Sequence, residues 1–172
     1  MSASDIRHGS VNLPRLCSIL GSGLLVLTGV LCLTTGVHDT FAGDRSDAVV
    51  ESIWAVALLL SPIAFGSARS NADNRTRVAC AAVLVGQASL AASILATVIA
   101  GHEVWDALFV TGFGITFVAS LATSALIRRW IVLLLPPALV LALALFSAGG
   151  PILLGLAWLV VELSLAQGGA TS

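Results

Sequence analysis

The sequence predicts an all-α integral membrane bundle of about six transmembrane helices with short loops, and two observations carry that expectation. The 172 residues are 58% hydrophobic and only 10% charged, with a mean hydropathy of +1.02, whereas roughly a quarter of an ordinary soluble domain is charged. The apolar residues also fall in long uncharged runs. Crossing about 30 Å of hydrocarbon takes about 20 helical residues, and several runs reach that length.

The first span is expected over 16–37, between Arg15 and His38-Asp39. A secretory signal with Thr40-Phe41-Ala42 as its cleavage site is the competing reading, but the run is longer than a usual signal core and further spans follow. The second span, 52–68, is short and contains Ser61-Pro62. The third runs over 78–101 and the fourth over 107–127. After Arg128-Arg129 no charge appears until Glu162, and Gly149-Gly150-Pro151 predicts a tight turn that divides this stretch into 130–147 and 152–166. The whole of 1–172 reads as one polytopic domain. Pro62 and the pair Pro136-Pro137 fall inside spans, where a missing backbone donor predicts kinks.

Basic residues near span ends remain on the cytoplasmic side. Arg7 and Arg15, then Arg69, Arg75 and Arg77, then Arg128 and Arg129 occupy alternate connections, and only Arg45 falls in the opposite set. Six spans in the cell membrane with both termini cytoplasmic satisfy this pattern. Trp130 and Trp105 fit as anchors at the headgroup boundary.

Several function classes fall away on composition. A formal charge of -1 offers no basic face for nucleic acid. The chain contains no lysine, which excludes Schiff-base chemistry on lysine and a Walker-type phosphate lysine. Cys17, Cys32 and Cys80 lie in apolar runs without metal-ligand spacing. There is no HExxH or GxSxG motif and no histidine within a span, so no catalytic residue, cofactor or metal is assigned.

Small residues recur at four-residue spacing on the third span, at Ala88, Ala92, Ala96 and Ala100, and on the fourth, at Gly112, Thr116, Ser120 and Ser124. Such stripes let helix backbones approach closely in a bilayer. They read either as packing between these two helices or as a face that docks a partner. Helix count and alanine spacing loosely resemble the substrate-binding subunits of energy-coupling-factor vitamin transporters, whose alanine-spaced helix contacts a coupling subunit. In that family the contact lies on the first helix; here the stripe is on the third, and the resemblance extends no further.

Glu162 is the one carboxylate well inside an expected span, and an unpaired charge at that depth is costly. The leading reading is that its carboxylate reaches only the headgroups, because this span is short and Glu162 lies toward its cytoplasmic end. The alternative follows from depth counting, which puts Gln87 of the third span near its level, within reach of a shared hydrogen bond, with Ser89 and Thr116 as neutral ligands around a proton or cation. His38, Asp39, Asp44, Asp47, Glu51, His102, Glu103 and Asp106 form an expected outer acidic rim, which either gathers cations or is a solvated surface from which arginine is excluded.

The leading expectation is a non-enzymatic membrane component, an accessory subunit or scaffold acting through helix contacts, with the lipid bilayer and a membrane-protein partner or second copy as its surroundings. The alternative is a small permease or channel that uses Glu162 and Gln87.

Overall fold

A computed structural model describes residues 13–36, 45–65, 72–101 and 106–168. All regular structure among these residues is helical: α1 (Leu13–Thr35), α2 (Arg45–Leu60), α3 (Asn74–Ala100), α4 (Asp106–Ile127), α5 (Leu135–Ala144) and α6 (Gly150–Gly168). Short 3-10 stretches at Ser61–Ala64, Trp130–Leu134 and Phe146–Ala148 extend or join them. Four helices are long and apolar enough to cross a membrane, namely α1, α2 with its 3-10 extension, α3 and α4. The pair after Arg129 is shorter. At about 2 Å per 3-10 residue and 1.5 Å per α residue, Trp130–Ala144 rises about 25 Å.

Each helix packs on the next, and α6 returns to α1, so the six close into a ring. The core inside it holds Leu25, Ala55, Leu58, Val83, Leu90, Leu139, Leu154, Trp158 and Val161, each nearly inaccessible. Trp158 stands edge-on to Phe65 at 5.4 Å, and Trp54 meets Phe146 at 4.6 Å. Lipid tails are as apolar as leucine, so hydrophobicity alone does not hold such helices together; close packing and internal polar contacts do.

The inward stripe of α1 illustrates this. Ser18, Gly21, Ser22, Leu25, Thr28, Gly29 and Cys32 are buried along one face, at the three- and four-residue steps that line one side of a helix. A β-carbon at Gly21 would lie 2.8 Å from the Leu60 carbonyl carbon, and one at Gly155 of α6 would lie 2.8 Å from the Ser22 oxygen. Only hydrogen fits at these crossings. The hydroxyls of Ser22 and Thr28 bond back to Ser18 O and Leu24 O at 3.0 and 2.8 Å, so no donor there faces hydrocarbon.

One local expectation differs from what is observed. Helix α2 starts at Arg45 rather than Ser52, which takes Asp47 and Glu51 out of the preceding connection and into the helix. The prolines stand where α-helical and 3-10 turns meet within continuous helical stretches. Pro62 lies in the first turn of Ser61–Ala64, and proline occupies the first turn of α5. The expected turn at 149–151 is present: Gly149 takes φ 81°, its N–H reaches Phe146 O, and α6 begins at Gly150.

Candidate functional site

The most polar buried feature is a seam through α1, the Ser61 turn, α3 and α6. Glu162 is 4% exposed. Its Oε1 lies 3.7 Å from Arg15 Nε on α1, whose side chain is 46% exposed. The geometry is that of a carboxylate held inside the bundle and reached from the surface by one long cation, since an arginine stem lies along apolar surface while its head stays solvated. The second carboxylate oxygen of Glu162 has no hydrogen-bond partner among the described residues.

From Glu162 the seam continues through serines. The Ser18 hydroxyl, three residues beyond Arg15, donates to Ser61 O at 3.0 Å, and the Glu162 carboxylate also lies within its hydrogen-bonding reach. One hydroxyl proton serves one of these acceptors at a time. Ser61 in turn donates through its side chain to Gln87 Oε1 on α3, at 3.4 Å. Ser18, Ser61 and Gln87 are all buried. Gln87 is therefore bonded to Ser61 rather than to Glu162, and the two expected partners are joined through two intervening serines. Ser18 and Ser61 were the residues that sequence reasoning missed. The available signal was the serine immediately before Pro62, placed where the α-helical pattern breaks.

The neutral ligands expected around this point are engaged within their own helices. Ser89 donates to Val85 O at 2.9 Å and Thr116 to Gly112 O at 2.8 Å. Beside the seam, Arg129 donates to both the carbonyl and the hydroxyl of Ser164, the latter at 3.1 Å, while Ser124 donates to Arg129 O at 3.0 Å. Arg128 holds the turn between them with φ 55°. The arginine pair after α4 thus divides into an exposed residue and one that ties α4 to the last turns of α6.

The expected outer rim is described only in part. His38, Asp39, Asp44, His102 and Glu103 lie outside the described residues, and Asp106 is described only as the first residue of α4. Asp47 and Glu51, one helical turn apart on α2, are 8% and 4% exposed, not displayed to solvent. One Glu51 oxygen has no hydrogen-bond partner among the described residues. No group of three metal-ligating side chains occurs among those residues.

The two small-residue stripes face different ways. Gly112, Thr116, Ser120 and Ser124 of α4 are all buried. Their counterpart on α3 is Gly86, where a β-carbon would lie 2.7 Å from Thr116 N and 2.9 Å from Gly112 O. Ala88, Ala92 and Ala100 are exposed and Ala96 is half-buried, so the alanine stripe lies outside this contact. Comparison with protein-family models, curated proteins and solved structures gives no match to this chain.

Proposed function

We propose that this chain is a multi-pass component of the cell membrane, with six spans and both termini cytoplasmic, that acts without catalysis as an accessory subunit or scaffold. The observation that carries this reading is the outward alanine face of α3, at Ala88 and Ala92. The bundle's own close contacts fall at Gly21, Gly29, Gly86, Gly112 and Gly155. Ala88 and Ala92 leave a shallow outer surface against which another helix packs closely. Alternate arginine placement supports the topology, and Arg15, Arg75, Arg128 and Arg129 occupy helix ends assigned to one side.

The test is purification of the full chain from its native membrane in mild detergent, followed by mass spectrometry of whatever stays bound in constant ratio. A stoichiometric membrane protein or second copy that is lost in Ala88→Phe or Ala92→Phe is expected. Recovery of a monomer without a partner overturns the reading.

A second reading is favoured by one specific observation, the unpartnered oxygen of Glu162 within a seam of hydroxyls. In a small permease, this carboxylate would carry the proton or cation and Ser18 would relay toward Ser61 and Gln87. That reading expects solute or proton flux in vesicles containing the purified chain, and loss of flux in Glu162→Gln. Wild-type flux in that variant removes Glu162 from the mechanism.

A further inference from the structure

On the outer side of the α3–α4 hairpin lies a groove of about 730 Å³. Its walls are almost entirely apolar and its floor is made by small side chains: Ala79 and Ala82 from α3, Ala119 and Ala122 from α4. Asn74 and Arg75 line its polar end, with Leu126 opposite. The two helices touch most closely at Gly86 and Thr116, and the groove opens on the Arg75 side of that crossing.

We propose that this groove binds one acyl chain of an anionic phospholipid whose phosphate is held by Arg75. Two features select this occupant. The first is length. The wall runs from Arg75 to Ala82 on α3 and from Leu126 back to Gly114 on α4, about 10 and about 18 Å at 1.5 Å per residue. Half of a roughly 30 Å hydrocarbon layer is about 15 Å, so the groove reaches through one leaflet. That matches a lipid tail, whereas a partner helix would need a track across both leaflets.

The second feature is charge. Arg75 is exposed in the first turn of α3, where the apolar span begins. Asp73 sits beside it, but its carboxylate is engaged as the helix cap, accepting from Thr76 N at 3.0 Å. Arg77 lies near the same carboxylate, and Arg128 follows Leu126 at the same end of the hairpin and is exposed. Arg75, Arg77 and Arg128 against one capped aspartate leave the mouth cationic at headgroup depth, above an apolar slot. A zwitterionic lipid fills the slot equally well but gains less at the mouth.

This inference does not rest on the accessory-subunit reading. Its test is native mass spectrometry of the full chain in mild detergent, with dioleoyl phosphatidylglycerol or dioleoyl phosphatidylcholine added at equal concentration. The phosphatidylglycerol adduct is expected to dominate, and Arg75→Gln is expected to reduce that preference about fivefold, the effect of one arginine at an anionic surface. Filling the slot with Ala82→Leu and Ala119→Leu is expected to reduce adducts of both lipids, while Val30→Leu on the exposed face of α1 leaves them unchanged. Equal retention of the two lipids by the wild type overturns the proposal. So does an unaltered preference in Arg75→Gln, or a protein subunit whose binding excludes the lipid adduct. If the double leucine variant does not fold, the exposed Arg75→Gln still decides.

Discussion

Helices α1 and α3 both carry small residues at near-helical spacing, yet α1 turns its stripe into the bundle and α3 leaves its own Ala88, Ala92 and Ala100 exposed. The difference lies in chemistry rather than spacing. On α1 the stripe is made, Leu25 apart, of glycine, serine, threonine and cysteine. On α3 the buried face takes Gly86, Gln87, Ser93 and Thr97 beside Val83, Leu90, Ala91 and Ile94, leaving Ala88 and Ala92 outside. A hydroxyl or amide gains from facing another helix, and a glycine gains from backbone contact. An alanine methyl is indifferent between lipid and protein, so periodic alanine marks a narrow face without saying which way it points.

The sharpest way to break this comparison is to enlarge both faces of α3. Gly86→Leu places side-chain atoms against the backbone of α4 and is expected to destabilise by more than about 3 kcal/mol, at or beyond the usual range for overpacking, read as loss of a monodisperse folded species in detergent. Ala92→Leu is expected to change stability by less than about 0.5 kcal/mol. Equal damage from the two would show that the alanine face is not an outer surface.

The charged end of the α1–α6 contact offers the next largest effect. Arg15→Gln leaves the Glu162 carboxylate buried without its cation, whereas Glu162→Gln leaves a half-exposed arginine free to solvate. The first is therefore expected to destabilise more, by about 1–3 kcal/mol, below the usual cost of breaking a fully buried pair because Arg15 is partly exposed. Thermal unfolding of both variants in one detergent checks the order. The reverse order would mean that Glu162 is already neutral or otherwise partnered.

Smaller again is Ser61→Ala, which removes the donor to Gln87 and is expected to cost about 1 kcal/mol. Paired with Gln87→Leu in a double-mutant cycle, it should show a coupling that Ser89→Ala with Gln87→Leu lacks, because Ser89 bonds its own helix.

The smallest effect belongs to Asp73 at the start of α3. Hydrogen bonds from the Thr76 hydroxyl and then its N–H, with Arg75 and Arg77 nearby, hold its carboxyl below the ordinary value of 3.8. A depressed folded value stabilises the helix start above that ordinary value, and the contribution is lost as pH falls below it through the folded pKa. Asp73→Asn, which retains a capping acceptor, should therefore flatten a slight loss of stability on acidification, followed as helicity against pH. A response identical to wild type would remove Asp73 from the acid sensitivity.

Much of this molecule was legible before any tertiary contact was known. Long uncharged runs marked the helical segments, and Gly149-Gly150-Pro151 marked the break between α5 and α6 because glycine takes the left-handed turn and proline begins a helix. Gly112, Thr116, Ser120 and Ser124 of α4 are buried, but spacing did not say what they face, and Thr111 and Ala122 of the same helix are exposed. The start of α2 was not legible either. Asp47 and Glu51 look like loop residues when charge is used to end a span, and only their burial within α2 makes their inclusion evident. The serine bridge between Glu162 and Gln87 was equally hidden, because it depends on the Ser61 backbone at a helix break meeting Ser18.

The sequence alone determined that the chain is helical and apolar, with long uncharged runs that read as six spans, while the helix ends leave four segments long and apolar enough to cross a bilayer and a shorter pair after Arg129. Run length and hydropathy are local properties, and a segment without water must satisfy its backbone within itself. Tertiary structure alone decided which way each helix faces, that Glu162 meets Arg15 instead of Gln87, and that a groove remains where α3 and α4 part beyond Gly86. Those outcomes depend on distances between backbones many residues apart, and chains with the same spacing of small residues can meet them differently.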